Sequence, residues 1–397
     1  MRAPLSGPRV LHVSQPTDAG VAVTVLGLVE HQIDSGYRVT LACPAAGMLA
    51  ARAAAAGCAV VTWNAGRNPG PGLAREFRSL RRIVQVTRPD LVHLHSSKAG
   101  LVGRIVIRRR VPTIFQPHAW SFLAIEGHQA RLARAWERFA VRWTDWIVAV
   151  SETERTLGIS AGIAAPTRVI PNGVDTAQFS PVGLVERASR RTNLGLTAGD
   201  VVMCVGRLCR QKGQDIALDA WDRVHSRFPD ATLVFVGDGP DRAALEARSL
   251  PSVRFVGSTS LVAEWLSVAD VVITPSRWEG QSLVLLEALS SGASVVASDV
   301  AGVSEAIPTG GGAIVPIGDA AALADAVTAR LADPEVRASE GVAARVAALD
   351  AFAFGRTAAA TVGLYAELLA AHELRSCSRG GGRTGKRLLK RPLRSYP

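Results

Sequence analysis

Residues 271–292 read VVITPSRWEGQSLVLLEALSSG. A short apolar run ends at Pro275, a polar loop presents Glu279, and an apolar helical pattern begins near Gln281–Ser282 and carries Glu287. Strand, loop and helix in this order form the unit from which parallel sheets are wound. At the rise of an α-helix, Glu287 lies about 8 Å along the axis from the helix start. One carboxylate therefore stands at the helix mouth and the other lies deeper. Between them are the unsatisfied N–H groups of the first turn and the positive end of the helix dipole, which favour an anion such as phosphate. Carboxylates accept hydroxyl hydrogens, so each Glu can hold a vicinal diol. Glu287 is flanked by Leu285, Leu286, Ala288 and Leu289, and a carboxylate in so apolar a stretch needs a partner. A ligand built as sugar, phosphates and ribose fits this row.

The same alternation extends in both directions. Strand patterns fall at 9–14, 38–42, 60–63, 91–95, 113–116, 146–149 and 168–170, with helical patterns between them, for example 21–35, 73–86 and 130–144. The stretch 180–199 is rich in turn formers without an apolar period and reads as an irregular interdomain connection. Strands then resume at 201–205, 232–236, 253–256, 271–274 and 294–298. Short apolar runs separated by helices imply parallel sheets with right-handed crossovers. The chain is thus an α/β protein with two Rossmann-like domains, 1–182 and 183–350. A helix over 351–373 and a basic, disordered tail over 374–397 follow. Ligands of such sheets bind beyond the carboxyl ends of the strands, so two sheets facing each other create one cleft.

A second cluster follows the strand 201–205. The segment 204–215, CVGRLCRQKGQD, gathers Arg207, Arg210 and Lys212 at a strand-to-helix turn. Arg supplies a fork and Lys a point charge, and both suit a diphosphate. Fixed cations there stabilise a departing nucleoside diphosphate more than its ground state. Arg207 and Lys212 are the stronger candidates of the three. In the first half, 14–25 (SQPTDAGVAVTV) places Gly20 at a helix start, where backbone can approach phosphate. The segment 114–122, IFQPHAWSF, puts His118 just past a strand, and 92–100, VHLHSSKAG, does the same for His95 and Lys98.

Taken together, GRL-x3-KG, VGDGPDR at 236–242, the Glu-x7-Glu segment and VIPNGVDTAQFSP at 169–181 resemble the family 4 retaining glycosyltransferases of GT-B fold, over roughly residues 9–370. The resemblance implies a nucleotide-sugar donor held mainly by the second domain. Glu287 would hold ribose hydroxyls, Glu279 donor-sugar hydroxyls, and Arg207 and Lys212 the diphosphate. Backbone N–H groups of Gln281, Ser282 and Leu283 would help, and Val256–Gly257 would lie near the base. His118 would contact the donor sugar, and Gly20 the phosphate; this chain has Asp18-Ala19-Gly20 where family members often carry two glycines. The family implies retention without an obvious general base, the leaving phosphate oxygen taking the proton of the incoming hydroxyl. The C-terminal helix would return to the N-terminal domain.

Composition narrows the alternatives. Five scattered cysteines without a Cys-x-x-Cys pair argue against a disulfide framework or a zinc site and point to a reducing cytosol. Asp-x-Asp does not occur, and with cations already placed for the diphosphate no essential metal or other cofactor is expected. The N-terminus lacks an apolar stretch long enough for a signal peptide, and no run is long enough to span a membrane, so a cytoplasmic protein is expected. The net charge is +11, and eight of those positives fall after Leu374 with no acid among them. Together with the Arg-rich, apolar stretch 130–143, this gives an expectation of peripheral contact with an anionic membrane and of a lipid-linked hydroxyl acceptor. A nucleic-acid partner is not expected, since no reader motif is present. A dinucleotide dehydrogenase needs G-x-G-x-x-G, whereas Gly237-Asp238-Gly239 is followed by Pro240. The remaining alternatives are a nucleotide-sugar epimerase or hydrolase of the same fold and a non-catalytic nucleotide-sugar binder.

Overall fold

The computed structural model describes residues 7–196, 199–248 and 250–384, with side chains as far as Leu374. The first sheet is built from β1 (Arg9–Ser14), β2 (Arg38–Cys43), β3 (Ala59–Thr62), β4 (Leu91–His95), β5 (Thr113–Gln116), β6 (Trp146–Ala149) and β7 (Thr167–Val169), in the order β3-β2-β1-β4-β5-β6-β7. The second contains β8 (Val201–Val205), β9 (Thr232–Val236), β10 (Val253–Gly257), β11 (Val271–Thr274), β12 (Ser294–Ser298) and β13 (Gly312–Val315), in the order β10-β9-β8-β11-β12-β13. Every ladder between these strands is parallel. Strand order reverses between β1 and β4 and again between β8 and β11. Each reversal opens a crevice at the carboxyl edge, where ligands of doubly wound sheets bind.

Burial explains the order. The central strands β4, β8, β11 and β12 are buried throughout, whereas β7 and β10, at the sheet edges, are mostly half-buried. Alternate residues of β8 enter different cores. Val201, Met203 and Val205 pack with Leu285, Leu286 and Leu289, while Val202 and Cys204 pack with Trp221 and Leu218. Both faces are therefore covered by helices, which is why VVMCV is apolar at every position.

Several elements differ from the sequence reading. The connection 180–199 contains a helix, Leu184–Asn193, with no buried residue. It is held by charge: Arg187 bonds Asp270 at 2.7 Å, Arg191 also pairs with Asp270, and Arg190 bonds Ser267 at 2.9 Å. A helix anchored this way needs no apolar period and escapes a reading based on one. The strand β13 (GAIV) is short and begins at a glycine, which hid it. The last helix runs from Phe354 to Thr384, past the expected limit at 373, with no proline to stop it. The segment expected to be disordered is thus helical to Thr384; residues 385–397 lie outside the described residues.

The chain crosses between the sheets twice, and the two crossings touch. Val174 N–H donates to Phe352 O (2.8 Å) and Phe354 N–H to Val174 O (2.9 Å). Beyond the second crossing, Leu364, Tyr365 and Leu368 pack with Val10, Leu91, Ile114, Val148 and Ile170 of the first sheet.

The turn after β8 depends on Gly213, which has φ +68°; a Cβ there would stand 2.0 Å from Pro275 O. Gly310 has φ +74° and open space around it. Gly213→Ala is therefore expected to lower unfolding free energy by about 4 kcal/mol and Gly310→Ala by about 1 kcal/mol. Urea unfolding measures both, and equal losses contradict this account of the turn.

Candidate active site

The loops at the carboxyl edge of the second sheet lie side by side. Gly206 N–H donates to Val236 O (2.9 Å), Leu208 N–H to Asp238 O (3.0 Å) and Gly237 N–H to Gly257 O (2.9 Å). The GRL turn, the VGDGP turn and Val256–Gly257 thus form a continuous backbone shelf. Arg242 closes its rim through ion pairs to Asp238 (3.2 Å) and Glu246 (2.8 Å).

Lys212 and Glu279 meet at the end of the shelf nearest β11. Lys212 Nζ lies 2.6 Å from Glu279 Oε1, and Glu279 is 8 % exposed. Ser276 Oγ donates to the same oxygen at 3.0 Å, and Gln211 Nε2 reaches Glu279 Oε2 at 3.4 Å. Lys212 also acts on Glu287. Burial pushes the Glu287 carboxyl up to about 7, against the pull of the ammonium. Lys212 is therefore paired with Glu279 and attracts the Glu287 carboxyl in addition. Ser282 caps that helix, Leu283–Ser290, its hydroxyl accepting from Leu285 N–H at 3.5 Å. The first-turn amides, Leu283 among them, are left over by the helix itself.

Arg207 lies in the same turn as Lys212, half-buried, and no ion pair holds its guanidinium among the described residues. It is felt across the cleft: burial, then Arg207, lowers the Arg67 guanidinium in the loop after β3. Arg210 points away and pairs with Glu126 of the first domain at 3.2 Å, both side chains largely exposed.

The first domain closes the site. Gly20 faces Leu283, whose Cδ1 lies 3.4 Å from where a Gly20 Cβ would stand, so two helix starts converge. Ala19, next to Gly20, takes the left-handed conformation with φ +60°, which glycine adopts more readily. His118 and Ala119 form a strained turn, with φ +54° and +90°. Glu154 holds this turn, accepting from Ala119 N–H and Val150 N–H, both at 2.7 Å. Gly280 lies against it, since a Cβ at 280 would come 2.8 Å from Ala119 N and 3.0 Å from Glu154 Oε1. Ser151 Oγ donates to Gly280 O (2.9 Å), and Asn172 bonds Gln281 through backbone and side chain (2.7 and 3.0 Å). The loop carrying Glu279 is thereby docked beside His118.

Two sequence candidates sit elsewhere. Lys98 is buried against Glu76 (3.0 Å) and bonds Asn68 O (2.9 Å), so it anchors a loop rather than facing the cleft. His95 is fully buried behind His118. Glu154, Gly280, Gln32 and His12 were missed. None of them leaves a local signal; His12 meets His93 and His95 only because β1 pairs with β4.

Residues 19–178 match the family described as Glycosyltransferase Family 4, and residues 199–333 match Glycosyl transferases group 1. The alpha-maltose-1-phosphate synthase of Mycolicibacterium smegmatis is 30% identical over 336 residues, 77% of this chain and 86% of that protein. This chain belongs to the family 4 glycosyltransferases. The lipopolysaccharide core biosynthesis mannosyltransferase of Rhizobium meliloti is 29% identical over 322 residues, 76% of this chain and 88% of that relative. Among solved structures, Anabaena HepE in complex with UDP and glucose superposes with a TM-score of 0.78 at 22% identity, covering 90% of this chain and 99% of that one. The glycosyltransferase therefore has the GT-B fold and is a hexosyltransferase; the epimerase, hydrolase and non-catalytic alternatives are not favoured.

Glu287 makes the stability of the enzyme pH-dependent. Its pKa is about 7 in the folded chain against 4.5 for the free side chain, so between these values the folded state holds a proton that the unfolded state releases. Stability therefore falls as pH rises through this window. Glu287→Gln is expected to remove about 2 kcal/mol of the loss between pH 5 and pH 8. Urea unfolding at the two pH values reads the slope, and an unchanged slope refutes the assignment.

Proposed function

We propose that this enzyme transfers a hexosyl group, with retention and without a metal ion, from a nucleoside-diphosphate sugar to a hydroxyl of a saccharide acceptor carried on a lipid. The observation that carries the reading is Lys212, paired with Glu279 at 2.6 Å and attracting Glu287, at the start of the helix Leu283–Ser290. The base lies on the shelf at Val256–Gly257 and ribose hydroxyls bond Glu287. The diphosphate takes Arg207, Lys212 and the amides of Gln281, Ser282 and Leu283. To do so it draws the ammonium away from Glu279, which is then free to accept donor-sugar hydroxyls. The cation thus exchanges one anion for another inside the cleft, and no ion is left without a partner.

As the glycosidic bond breaks, charge grows on the leaving phosphate and is met by groups already in place. These cations and amides make a divalent ion unnecessary. The acceptor hydroxyl approaches on the face the phosphate is leaving, gives its proton to the phosphate oxygen, and forms the new bond on that face. Burial and the positive charge of Arg207 both disfavour the charged form of Arg67, and a bound anion relieves that repulsion.

The acceptor reading rests on the helix Gly127–Ala140. It exposes Leu132 (66 %) and Phe139 (42 %) beside exposed Arg131, Arg134 and Arg138, and Arg142 stacks on Phe139 at 3.8 Å. A basic helix with apolar tips suits an anionic bilayer surface. No helix among the described residues is long and apolar enough to cross a membrane.

Titration calorimetry against UDP-, GDP- and ADP-sugars is expected to find one tight donor. Arg207→Ala, Lys212→Ala and Glu279→Gln should each lower kcat/KM by about 10²–10³. Product NMR should show the donor's anomeric configuration, and EDTA should leave the rate unchanged. Wild-type turnover by the Lys212 variant, or an inverted product, overturns the mechanism. Anionic vesicles should sediment the wild type and release a Leu132→Asp/Phe139→Asp variant; failure of the wild type to sediment at any salt ends the membrane reading.

A further inference from the structure

A line of buried polar side chains runs from the core of the first domain to the cleft. Gln32 Oε1 lies 2.8 Å from His12 Nε2, His12 Nδ1 lies 2.9 Å from His95 Nε2, and His95 Nδ1 lies 3.2 Å from His118 Nε2. Gln32, His12 and His95 are fully buried, and His118 is half-buried at the cleft end. Successive rings are stacked, with centroids 5.2 Å apart at 12° for His12 and His95, and 5.4 Å at 28° for His95 and His118. Burial holds all three imidazoles well below their ordinary value, to about 4 for His12 and about 3 for His118.

A neutral imidazole has one N–H and one lone pair. In a chain of neutral rings every link must therefore point the same way, and only two arrangements exist. The amide at the blind end selects between them. With its oxygen toward His12, Gln32 accepts from His12 Nε2–H, and His12 Nδ1 then accepts from His95 Nε2–H. His95 Nδ1 in turn accepts from His118 Nε2–H, which leaves His118 Nδ1 as a bare acceptor.

We propose that Gln32, His12 and His95 are positioning residues that hold His118 in a single tautomer, its Nδ1 lone pair offered to a hydroxyl of the donor sugar. This rests on the reading above in which the donor sugar contacts Glu279 and His118. The benefit is electrostatic. The sugar ring gains positive charge as the glycosidic bond breaks, and a neutral acceptor at its edge favours that charge whereas an imidazolium opposes it. His12, His93 and His95 are also close enough to share an ion, their ligand atoms lying within 4.8 Å of one another. His12 already uses both ring nitrogens, and His95 both of its own, so an ion there has to break the chain.

Long-range proton–nitrogen spectra of the 15N-labelled full chain test this without any sugar nucleotide, His118 being identified by the signals lost in His118→Asn. In the wild type, His12, His95 and His118 are expected to carry the proton on Nε2. Gln32→Leu removes the acceptor at the blind end and should give His118 both tautomers, while Gln32→Glu keeps an acceptor and should restore one. With the tight donor, Gln32→Leu should lower kcat about tenfold and leave donor KM within about twofold. A wild-type His118 protonated on Nδ1, a tautomer indifferent to Gln32→Leu, or a metal ion retained by these rings overturns the relay. A tautomer change with no change in kcat overturns its catalytic consequence. If no nucleotide-sugar binds the wild type, the donor reading fails, and the spectra still decide the relay.

Discussion

The site depends on a close approach of two backbones. Gly280, at the tip of the loop after β11, rests against Ala119 N–H and the Glu154 carboxylate of the other domain, with no room for a side chain. This contact sets Glu279 next to His118. Ser151 and Asn172 tie down the residues on either side, and Glu154 rigidifies the strained turn on which His118 stands. Glu154 bears a cost for this. Burial pushes its carboxyl up to about 7, although two backbone N–H groups pull it down. Functional sites often combine strain with a buried ionisable group held by several bonds.

Charge is handled in opposite ways on the two sides of the cleft. The second domain keeps formal charges and pairs them internally, Lys212 lying 2.6 Å from Glu279. The first domain lines its interior with neutral imidazoles, which burial prevents from charging. On the proposed reading, a leaving diphosphate needs the former and an electron-poor sugar ring the latter. The division also explains why the basic motif of the second domain stands out in sequence while the histidine chain does not. Cations cluster in one turn, whereas His12, His95 and His118 come from three different strands or loops and meet only in the packed sheet.

Much of the fold was legible because a strand buried on both faces carries an unbroken apolar run through its centre. VVMCV, TLVFV, VVIT and SVVAS announce themselves this way, and each occupies a strand of the second sheet. Where another force replaces burial the pattern vanishes. The helix Leu184–Asn193, held by arginines on Asp270, was read as irregular for this reason, whereas the strand Gly312–Val315 escaped because it is short and begins at a glycine.

By itself, then, the sequence determined two parallel sheets, the placement of chemistry in strand-to-helix loops, and the pairing of basic turn and acidic helix, since each is a local property of residue type and spacing. Only the tertiary structure decided that Lys212 bonds Glu279, that Lys98 is an internal anchor, and that Gln32 lies at the end of a line leading to His118. Those relations join residues far apart in the chain, and hydrogen bonds of 2.6 to 3.2 Å are set by how sheets and helices pack, which no local pattern encodes.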